Sequence, residues 1–213
     1  MAIRKSTGVS ILVAIVLLAA GLFLYPALPE ELASHWGLQG EVNGYMPKFL
    51  GVIFIPLVVL AMAAIFEVIP RIDPYKENIK KFSGEYGRFV VLLSAFLAAI
   101  QAMVLAWNLG YLFDMSRFIF AGIGILFFFI GDILEKSKRN WFVGVRTPWT
   151  LVSDRVWEKT NKLGGRAFRA IGIVMAIGAI FYKPLVIELI AVVLLLVFGL
   201  FVYSYLEFRK IKK

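Results

Sequence analysis

Six runs of apolar residues, each near the length of a membrane-spanning helix, dominate the pattern of this chain. A hydrocarbon layer about 30 Å thick needs roughly 20 residues of apolar helix, with a range of about 17–25. The fifth run is the shortest, but the arginines at its start can extend towards the lipid headgroups. The pattern therefore predicts an all-α integral membrane protein, with six transmembrane helices in a single membrane domain over residues 1–213. The six predicted spans are Val9–Tyr25, Phe49–Ile69, Phe89–Leu112, Phe118–Leu134, Ala167–Tyr182 and Leu185–Leu206.

Prolines and short polar stretches separate the runs. Pro26 and Pro29 follow the first run, and Lys183-Pro184 joins the fifth run to the sixth without a longer loop. Pro56 lies inside the second run, where its ring and its missing N–H predict a kink. Most connections are minimal, and two longer loops are expected to carry the specific features of the molecule.

The positions of the positive charges predict the orientation. With the N-terminus in the cytoplasm, the outer segments hold only three of the 23 lysines and arginines, namely Lys48, Arg117 and Lys183. This asymmetry follows the positive-inside rule, so both termini are predicted to be cytoplasmic. It also explains the net charge of +9 without a nucleic-acid partner.

Composition supports a membrane location. Hydrophobic residues make up 61% of the chain, well above the roughly 45–50% of soluble domains. The first run has a basic start and small residues at Ala19-Ala20-Gly21, as a signal peptide would. Its length exceeds the usual signal core of about 7–15 residues, so we expect an uncleaved span. The absence of Cys excludes disulfides and thiolate chemistry.

The outer loop, residues 26–48, is rich in turn-forming residues such as Gly37, Gly40 and Asn43-Gly44. The stretch Pro29-Glu30-Glu31-Leu32 predicts the start of a short helix, because proline suits the first turn and acids suit its positive end. A short helix followed by turns is therefore the expected structure of this loop.

The same loop holds the only histidine of the chain, in the pair His35-Trp36. One interpretation is a pH-sensitive or ligand-contacting group that faces outside. The other is an interfacial tryptophan with a neighbouring capping histidine. One histidine among scattered glutamates lacks the spacing of metal ligands, so no metal site is predicted.

The cytoplasmic loop, residues 135–166, predicts a further helix. Ser153 can cap a helix that runs to about Leu163, with Gly164-Gly165 as its end. Apolar residues and Thr160 share one face of this helix, which predicts an interfacial amphipathic helix between spans four and five. The residues of that face are Val156, Trp157, Thr160 and Leu163, and the aromatic residues Trp141, Phe142 and Trp149 suit the same interface.

Residues 144–148 precede that helix and read Gly-Val-Arg-Thr-Pro. The residue before a proline avoids the helical region, so an extended or turned stretch is predicted. Arg146 is a candidate for bidentate binding of a phosphate or carboxylate. A contact with a lipid headgroup or with a helix C-terminus is the alternative.

Polar residues inside the predicted spans are further candidates. Ser94, Gln101 and Asn108 are spaced seven residues apart on one face of span three. They favour either hydrogen bonds between packed helices or a polar path for a solute. Asp132 and Glu188 lie near span ends rather than at mid-depth, which argues against a proton pump.

Two blocks of sequence resemble the SdpI-type immunity proteins of bacteria and archaea. These are integral membrane proteins associated with resistance to a secreted toxin. The outer loop is similar to the family's N-terminal domain of unknown function at Leu28-Pro29, His35-Trp36, Gly40, Tyr45 and Lys48. The cytoplasmic loop is similar at Asn140, Gly144, Arg146, Thr147, Pro148, Trp149, Thr150, Leu151, Val156-Trp157 and Gly164-Gly165. The family pattern often has His at the position of Asn161 and Asn at that of Asp132.

The resemblance implies a membrane immunity or receptor protein in the cell membrane of a prokaryote. Its expected partners are the lipid bilayer, a membrane-active peptide toxin on the outer side and a cytoplasmic regulator. The alternative from the polar face of span three is a small-solute transporter or channel. The sequence contains no HExxH, no GxSxG and no phosphate-binding glycine loop, so neither an enzyme nor a cofactor is predicted.

Overall fold

The computed structural model describes residues 2–37, 40–181 and 186–211, and eight α-helices and one two-stranded sheet lie within them. A short 3-10 helix, Tyr25–Ala27, and the strands β1 and β2 lie between the first two helices. The strands are β1 (Glu31–Trp36) and β2 (Val42–Pro47). The helices are α1 (Ala2–Leu24), α2 (Lys48–Ile72), α3 (Lys76–Lys80), α4 (Ser83–Asn108), α5 (Met115–Lys136), α6 (Pro148–Val152), α7 (Asp154–Phe181) and α8 (Val186–Arg209).

Five of the described helices, α1, α2, α4, α5 and α8, are long and apolar enough to cross a membrane. Their outward faces are apolar, and Phe23 and Leu195 expose 83% and 71% of their surfaces. Water would disfavour so many exposed apolar side chains, whereas lipid accepts them. The chain is therefore a mostly helical, multi-pass membrane protein.

The predicted fifth span falls in the second half of α7, which is not among those five helices of the described chain. Tyr182, Leu185 and the predicted junction Lys183-Pro184 lie outside the described residues. The count of six spans and the cytoplasmic location of both termini therefore stay predictions.

The helices form two groups. In the first group α1 packs against both α2 and α4, and in the second α7 packs against both α5 and α8. Helices α4 and α5 join the groups. At one end of this junction Ile133 of α5 packs into a buried cluster with Phe82, Tyr86 and Val90 of the first group.

Helices α5 and α7 pack very closely at two pairs of glycines. A Cβ atom on Gly172 would lie 2.5 Å from the carbonyl oxygen of Gly124, and one on Gly165 would lie 2.6 Å from that of Gly131. From the first pair to the second, the residue number rises along α5 and falls along α7, so the two helices are antiparallel. Such close approach of backbones is the usual role of small residues at membrane helix interfaces.

The prediction that a helix ends at Gly164-Gly165 is wrong. Helix α7 runs without interruption for 28 residues, from Asp154 to Phe181. Gly165 is buried against α5, so it is needed for close packing and does not end the helix. The predicted amphipathic helix is thus the first part of α7, with Val156, Trp157 and Thr160 buried and Leu163 exposed.

The fold is mostly helical, as predicted, but the short helix at Pro29–Leu32 is wrong, because β1 and β2 form an antiparallel hairpin there. Leu32 and Ala33 are fully buried between the hairpin and the helices. The side-chain amide of Asn108 accepts a hydrogen bond from Ala33 N at 2.8 Å and donates one to Ala33 O at 3.1 Å. This amide acts as a substitute for a neighbouring strand and stabilises the extended backbone.

Candidate functional site

The loop between α5 and α7, residues 137–153 (the α5–α7 loop), is organised around the buried side chain of Asn140. Its Nδ2 donates to Lys138 O at 2.8 Å and Val143 O at 2.7 Å. Its Oδ1 accepts from the backbone N–H groups of Phe142 at 2.8 Å and Val143 at 2.6 Å. The four bonds together use both the donor and the acceptor atoms of an amide, and they hold the loop in one defined conformation.

A second contact fixes the α5–α7 loop to the turn that follows α2. The buried carboxylate of Asp73 accepts a hydrogen bond from Trp141 N at 2.8 Å. Asn78 donates to Arg139 O at 2.8 Å, and the Arg139 guanidinium lies 5.0 Å from the centre of the Tyr75 ring. These contacts connect the two groups of helices, and the sequence analysis identified none of them.

Trp157 is the largest fully buried side chain at the base of the loop, and its Nε1 donates to Ser137 O at 3.1 Å. Gly144 lies over this ring with a φ of +134°, where a Cβ atom would be 2.7 Å from the indole. Only glycine fits there without strain. Asn161 Oδ1 accepts from Val145 N at 2.7 Å, so the amide secures the adjacent backbone.

Thr147 and Pro148 begin α6, and Thr147 forms a capping box with Thr150. The Thr147 hydroxyl also lies 2.9 Å from the Ser204 hydroxyl of α8. Trp149 packs on Phe201 and Tyr205, with ring centres 5.0 Å apart in both pairs. These residues therefore dock α6 onto α8.

Glu207 of α8 also contacts the base of α7 and was not predicted from the sequence. Its side chain is 5% exposed and lies 2.6 Å from the ammonium groups of both Lys159 and Lys210. The hydrogen bond that Lys210 donates to Glu207 raises the pKa of the Lys210 ammonium above its ordinary value. The carboxylate therefore links α7 to the end of α8.

The Arg146 side chain is exposed, and among the described residues it donates a hydrogen bond to Trp141 O at 2.6 Å. It lies at the edge of a cavity of about 500 Å³, which we call the loop cavity. Apolar side chains from both groups of helices form most of its walls. The walls include Phe66, Phe89, Ile130, Phe142, Phe168, Val197 and Phe201.

The hairpin borders a second cavity of about 340 Å³, the hairpin cavity, together with α4, α5 and α8. His35 and Trp36 line it, and His35 is exposed and hydrogen-bonded through Nδ1 to Asn43 across the hairpin. The Trp36 ring packs edge-on against Trp107 at 5.6 Å. Its buried Nε1–H has no acceptor in the part of the chain that the structure describes.

Lys48 lies apart from this cavity. Its side chain is 9% exposed, 3.2 Å from Glu30 Oε1 and 4.8 Å from the centre of the Tyr25 ring. These contacts attach the hairpin to the first turn of α2. We therefore assign Lys48 a role in positioning the hairpin.

The polar residues of α4 contact three different elements. Ser94 lies 2.8 Å from the Ser10 hydroxyl of α1, Gln101 donates to Gly51 O of α2 at 3.0 Å, and Asn108 binds β1 as described above. Ser94 and Gln101 are buried, which fits packing between helices. Asp132 pairs with Lys136 at 3.2 Å and Arg88 at 3.6 Å, and Glu188 is exposed in the first turn of α8.

Replacement of Asn108 by leucine is expected to loosen the hairpin. The buried N–H and C=O of Ala33 would lose their partner, at a cost of about 1–3 kcal/mol for each group. The expected result is faster hydrogen exchange, or faster cleavage by a protease, in residues 31–36. Leucine in place of the exposed Glu31 on the same strand serves as the control, and equal behaviour of the two variants would contradict the role of Asn108.

Within the described residues, no group of three His, Cys, Asp or Glu side chains is arranged to hold a metal ion. The molecule thus has a folded hairpin with a cavity at one end and an ordered loop with a cavity at the other. Apolar helices connect the two ends, and this arrangement is that of a multi-pass membrane protein.

Comparison with known proteins refines this class. Residues 136–204 match the SdpI/YfhL protein family, and residues 12–60 match a domain of unknown function (DUF1648). The chain is 25% identical over 192 residues to the immunity protein SdpI of Bacillus subtilis (strain 168), covering 90% of each chain. The resemblance to the SdpI-type immunity protein family is therefore confirmed. No solved structure matches the chain.

Proposed function

We propose that this protein is an immunity protein in the cell membrane of a prokaryote, where it protects against a secreted, membrane-active peptide. The similarity to an immunity protein over nine-tenths of the chain carries this proposal. The two family matches contain the hairpin and the α5–α7 loop. Both folded segments are therefore expected to take part in the function.

The hairpin cavity is the proposed site for the peptide. Its walls are mostly apolar, with Val104, Ile119 and Phe120 from α4 and α5. The Trp36 indole N–H is a buried donor without an acceptor among the described residues, which costs free energy in the unliganded protein. A carbonyl oxygen of a bound peptide would accept this hydrogen bond, and an apolar side chain of the same peptide would occupy the cavity.

Charge at the hairpin surface favours a neutral or cationic peptide. Glu31 and Glu41 are exposed, and Glu31 has no basic side chain within 4 Å in the described part of the chain. Lys48 is buried and paired with Glu30, so its positive charge is largely offset at this surface. Attraction between this acidic surface and a basic peptide would speed their encounter.

Helices α4 and α5 provide a direct connection between the two ends. At the hairpin, Asn108 binds Ala33, and the Ser116 hydroxyl of α5 donates to Gly37 O at 3.3 Å. At the other end, Tyr86 and Ile133 pack in one cluster beside the α5–α7 loop. A peptide that displaces β1 would shift these helices and alter the surface offered to a cytoplasmic regulator.

The test compares survival of a sensitive bacterial strain with and without the protein during challenge with secreted, membrane-active peptide toxins. Expression of the protein is expected to protect against one of them. Equal killing with and without the protein across the set would overturn the proposal.

Trp36→Phe then tests the site itself, because it keeps an aromatic ring and removes the N–H. Loss of one buried hydrogen bond is expected to reduce peptide affinity about tenfold. Trp141→Phe on the α5–α7 loop is the matched control and is expected to bind the peptide normally. Unchanged affinity in Trp36→Phe would remove the hairpin cavity from the proposal and leave the immunity function standing.

A further inference from the structure

The loop cavity has the size and chemistry of a ligand site. Its volume of about 500 Å³ lies within the range of about 300–1,000 Å³ that small-molecule sites occupy. Protein interiors are otherwise close-packed, so an opening of this size beside the buried Phe82–Val90 cluster requires an occupant or a function. Apolar residues from α2, α4, α5, α7 and α8, together with residues 142–147 of the α5–α7 loop, form its walls.

The polar side chains of the wall are already used. The Tyr86 hydroxyl donates to Phe66 O at 2.9 Å, and the Thr147 hydroxyl pairs with Ser204. A peptide backbone placed in this cavity would find few partners for its N–H and C=O groups. The walls therefore suit a hydrocarbon chain.

The edge of the cavity has the opposite character. Arg146 is exposed there, and within the described part of the chain one of its five guanidinium N–H groups is bonded to the protein. No carboxylate lies within 4.0 Å of it in the described residues, whereas the nearby Arg139 pairs with Asp154 at 2.9 Å. The remaining donors of Arg146 match the geometry of a phosphate group.

The cavity also opens towards the side of the molecule that faces lipid. Val197 and Phe201 of α8 line it and are 52% and 46% exposed. An acyl chain could therefore enter sideways from the bilayer, while its headgroup stays at the level of Arg146. A lipid in the surrounding leaflet needs no other route.

We infer that the loop cavity holds one acyl chain of an anionic phospholipid, whose phosphate binds Arg146. The bound lipid would fill the space between the two groups of helices and contact residues 142–147 of the α5–α7 loop directly. This site is independent of the peptide site proposed at the hairpin cavity. Its occupancy would couple the conformation of the loop to the lipid composition of the membrane.

Native mass spectrometry of the purified full chain tests this inference. The protein is mixed with equal amounts of phosphatidylglycerol and phosphatidylcholine that carry identical acyl chains. We expect one lipid to be retained, with about tenfold preference for phosphatidylglycerol, because both phosphates can bind Arg146 but the choline cation of phosphatidylcholine offsets the attraction. Arg146→Gln should abolish the preference, and Arg155→Gln, an exposed arginine outside the cavity wall, should keep it.

A second pair of variants tests the acyl-chain position. Val197→Trp fills the cavity and is expected to reduce retention of both lipids at least fivefold. Val192→Trp is the control, because Val192 lies on the same helix, is 49% exposed and does not line the cavity. Ile130→Phe fills the same space from α5 and replaces Val197→Trp if that variant elutes as an aggregate.

Three outcomes would overturn the inference. The first is equal lipid retention by Val197→Trp and Val192→Trp, which would mean that the lipid binds elsewhere on the surface. The second is loss of the phosphatidylglycerol preference when inorganic phosphate alone is added, which would make Arg146 a site for a soluble anion. The same preference in Arg146→Gln as in the unmodified chain would remove the headgroup contact and the proposal with it.

Discussion

Gly172→Ala is expected to destabilise the protein by about 3 kcal/mol or more. The new Cβ would lie 2.5 Å from Gly124 O and 2.6 Å from Phe128 N, both backbone atoms that cannot rotate away. Overpacking of a core by a methylene commonly costs about 1–3 kcal/mol, and a clash with backbone adds to this. Helices α5 and α7 would have to separate along their whole length.

The first measurement is the midpoint of thermal unfolding in one detergent. The second is size-exclusion chromatography, where the variant should lose its monodisperse peak. Gly178→Ala provides a matched control on the same helix, because a Cβ there meets no atom within 4 Å. Alanine favours helix over glycine by up to about 1 kcal/mol, so this control should be neutral or slightly stabilising. A midpoint for Gly172→Ala equal to that of the control would show that the two helices do not pack as described.

Asn140→Asp is expected to unfold the α5–α7 loop while the helices stay folded. The aspartate has the same shape, but its carboxylate cannot donate to Lys138 O and Val143 O, and it would place a negative charge against both carbonyls. Each buried group left without a partner costs about 1–3 kcal/mol, and a charged group costs more. The contacts of Asp73 and Asn161 with the loop do not involve this amide, so the opening should be local.

Hydrogen exchange measured by mass spectrometry should show fast exchange in residues 138–147 of this variant, with unchanged exchange in α5 and α8. The exposed Asn43 gives the control, since Asn43→Asp is expected to leave the loop unaffected. Exchange in the loop as slow as in the unmodified chain would contradict the central role of the Asn140 amide.

The apolar runs predict the positions of α1, α2, α4, α5 and α8, because a helix that is surrounded by lipid needs apolar side chains along its length. The ends of these helices are less accurate. Helices α1 and α4 begin at Ala2 and Ser83, well before the first apolar residue of each run. Polar turns can extend a helix beyond the bilayer, and hydrophobicity carries no signal for them.

The errors arise where a distant residue decides the local structure. Proline and acids at the start of the hairpin favour a helix locally, but the Asn108 amide pairs with Ala33 and holds an extended strand. Gly165 resembles a helix end until Gly131 of α5 is placed against it. Contacts between residues far apart in the chain override local preference in both cases.

The candidate residues of the α5–α7 loop were identified from motifs, but their roles were not. Asn140, Gly144, Thr147, Trp149 and Trp157 form hydrogen bonds and packing contacts that shape the loop, and Arg146 alone presents a free charge. Asp73 and Glu207 belong to no sequence motif, and their roles become visible only from the residues that they contact in the structure. The loop cavity could not be predicted at all, because five helices contribute to its walls.

The division into two groups of helices has a consequence for how such proteins diversify. The turn between α4 and α5 is short, carries Gly110 with a φ of +99° and exposes Tyr111 and Leu112. The segment before it contains the hairpin, and the segment after it contains the α5–α7 loop. A chimera joined at this turn would carry the hairpin of one parent and the α5–α7 loop of the other, provided that Asp73 and Trp141 remain compatible.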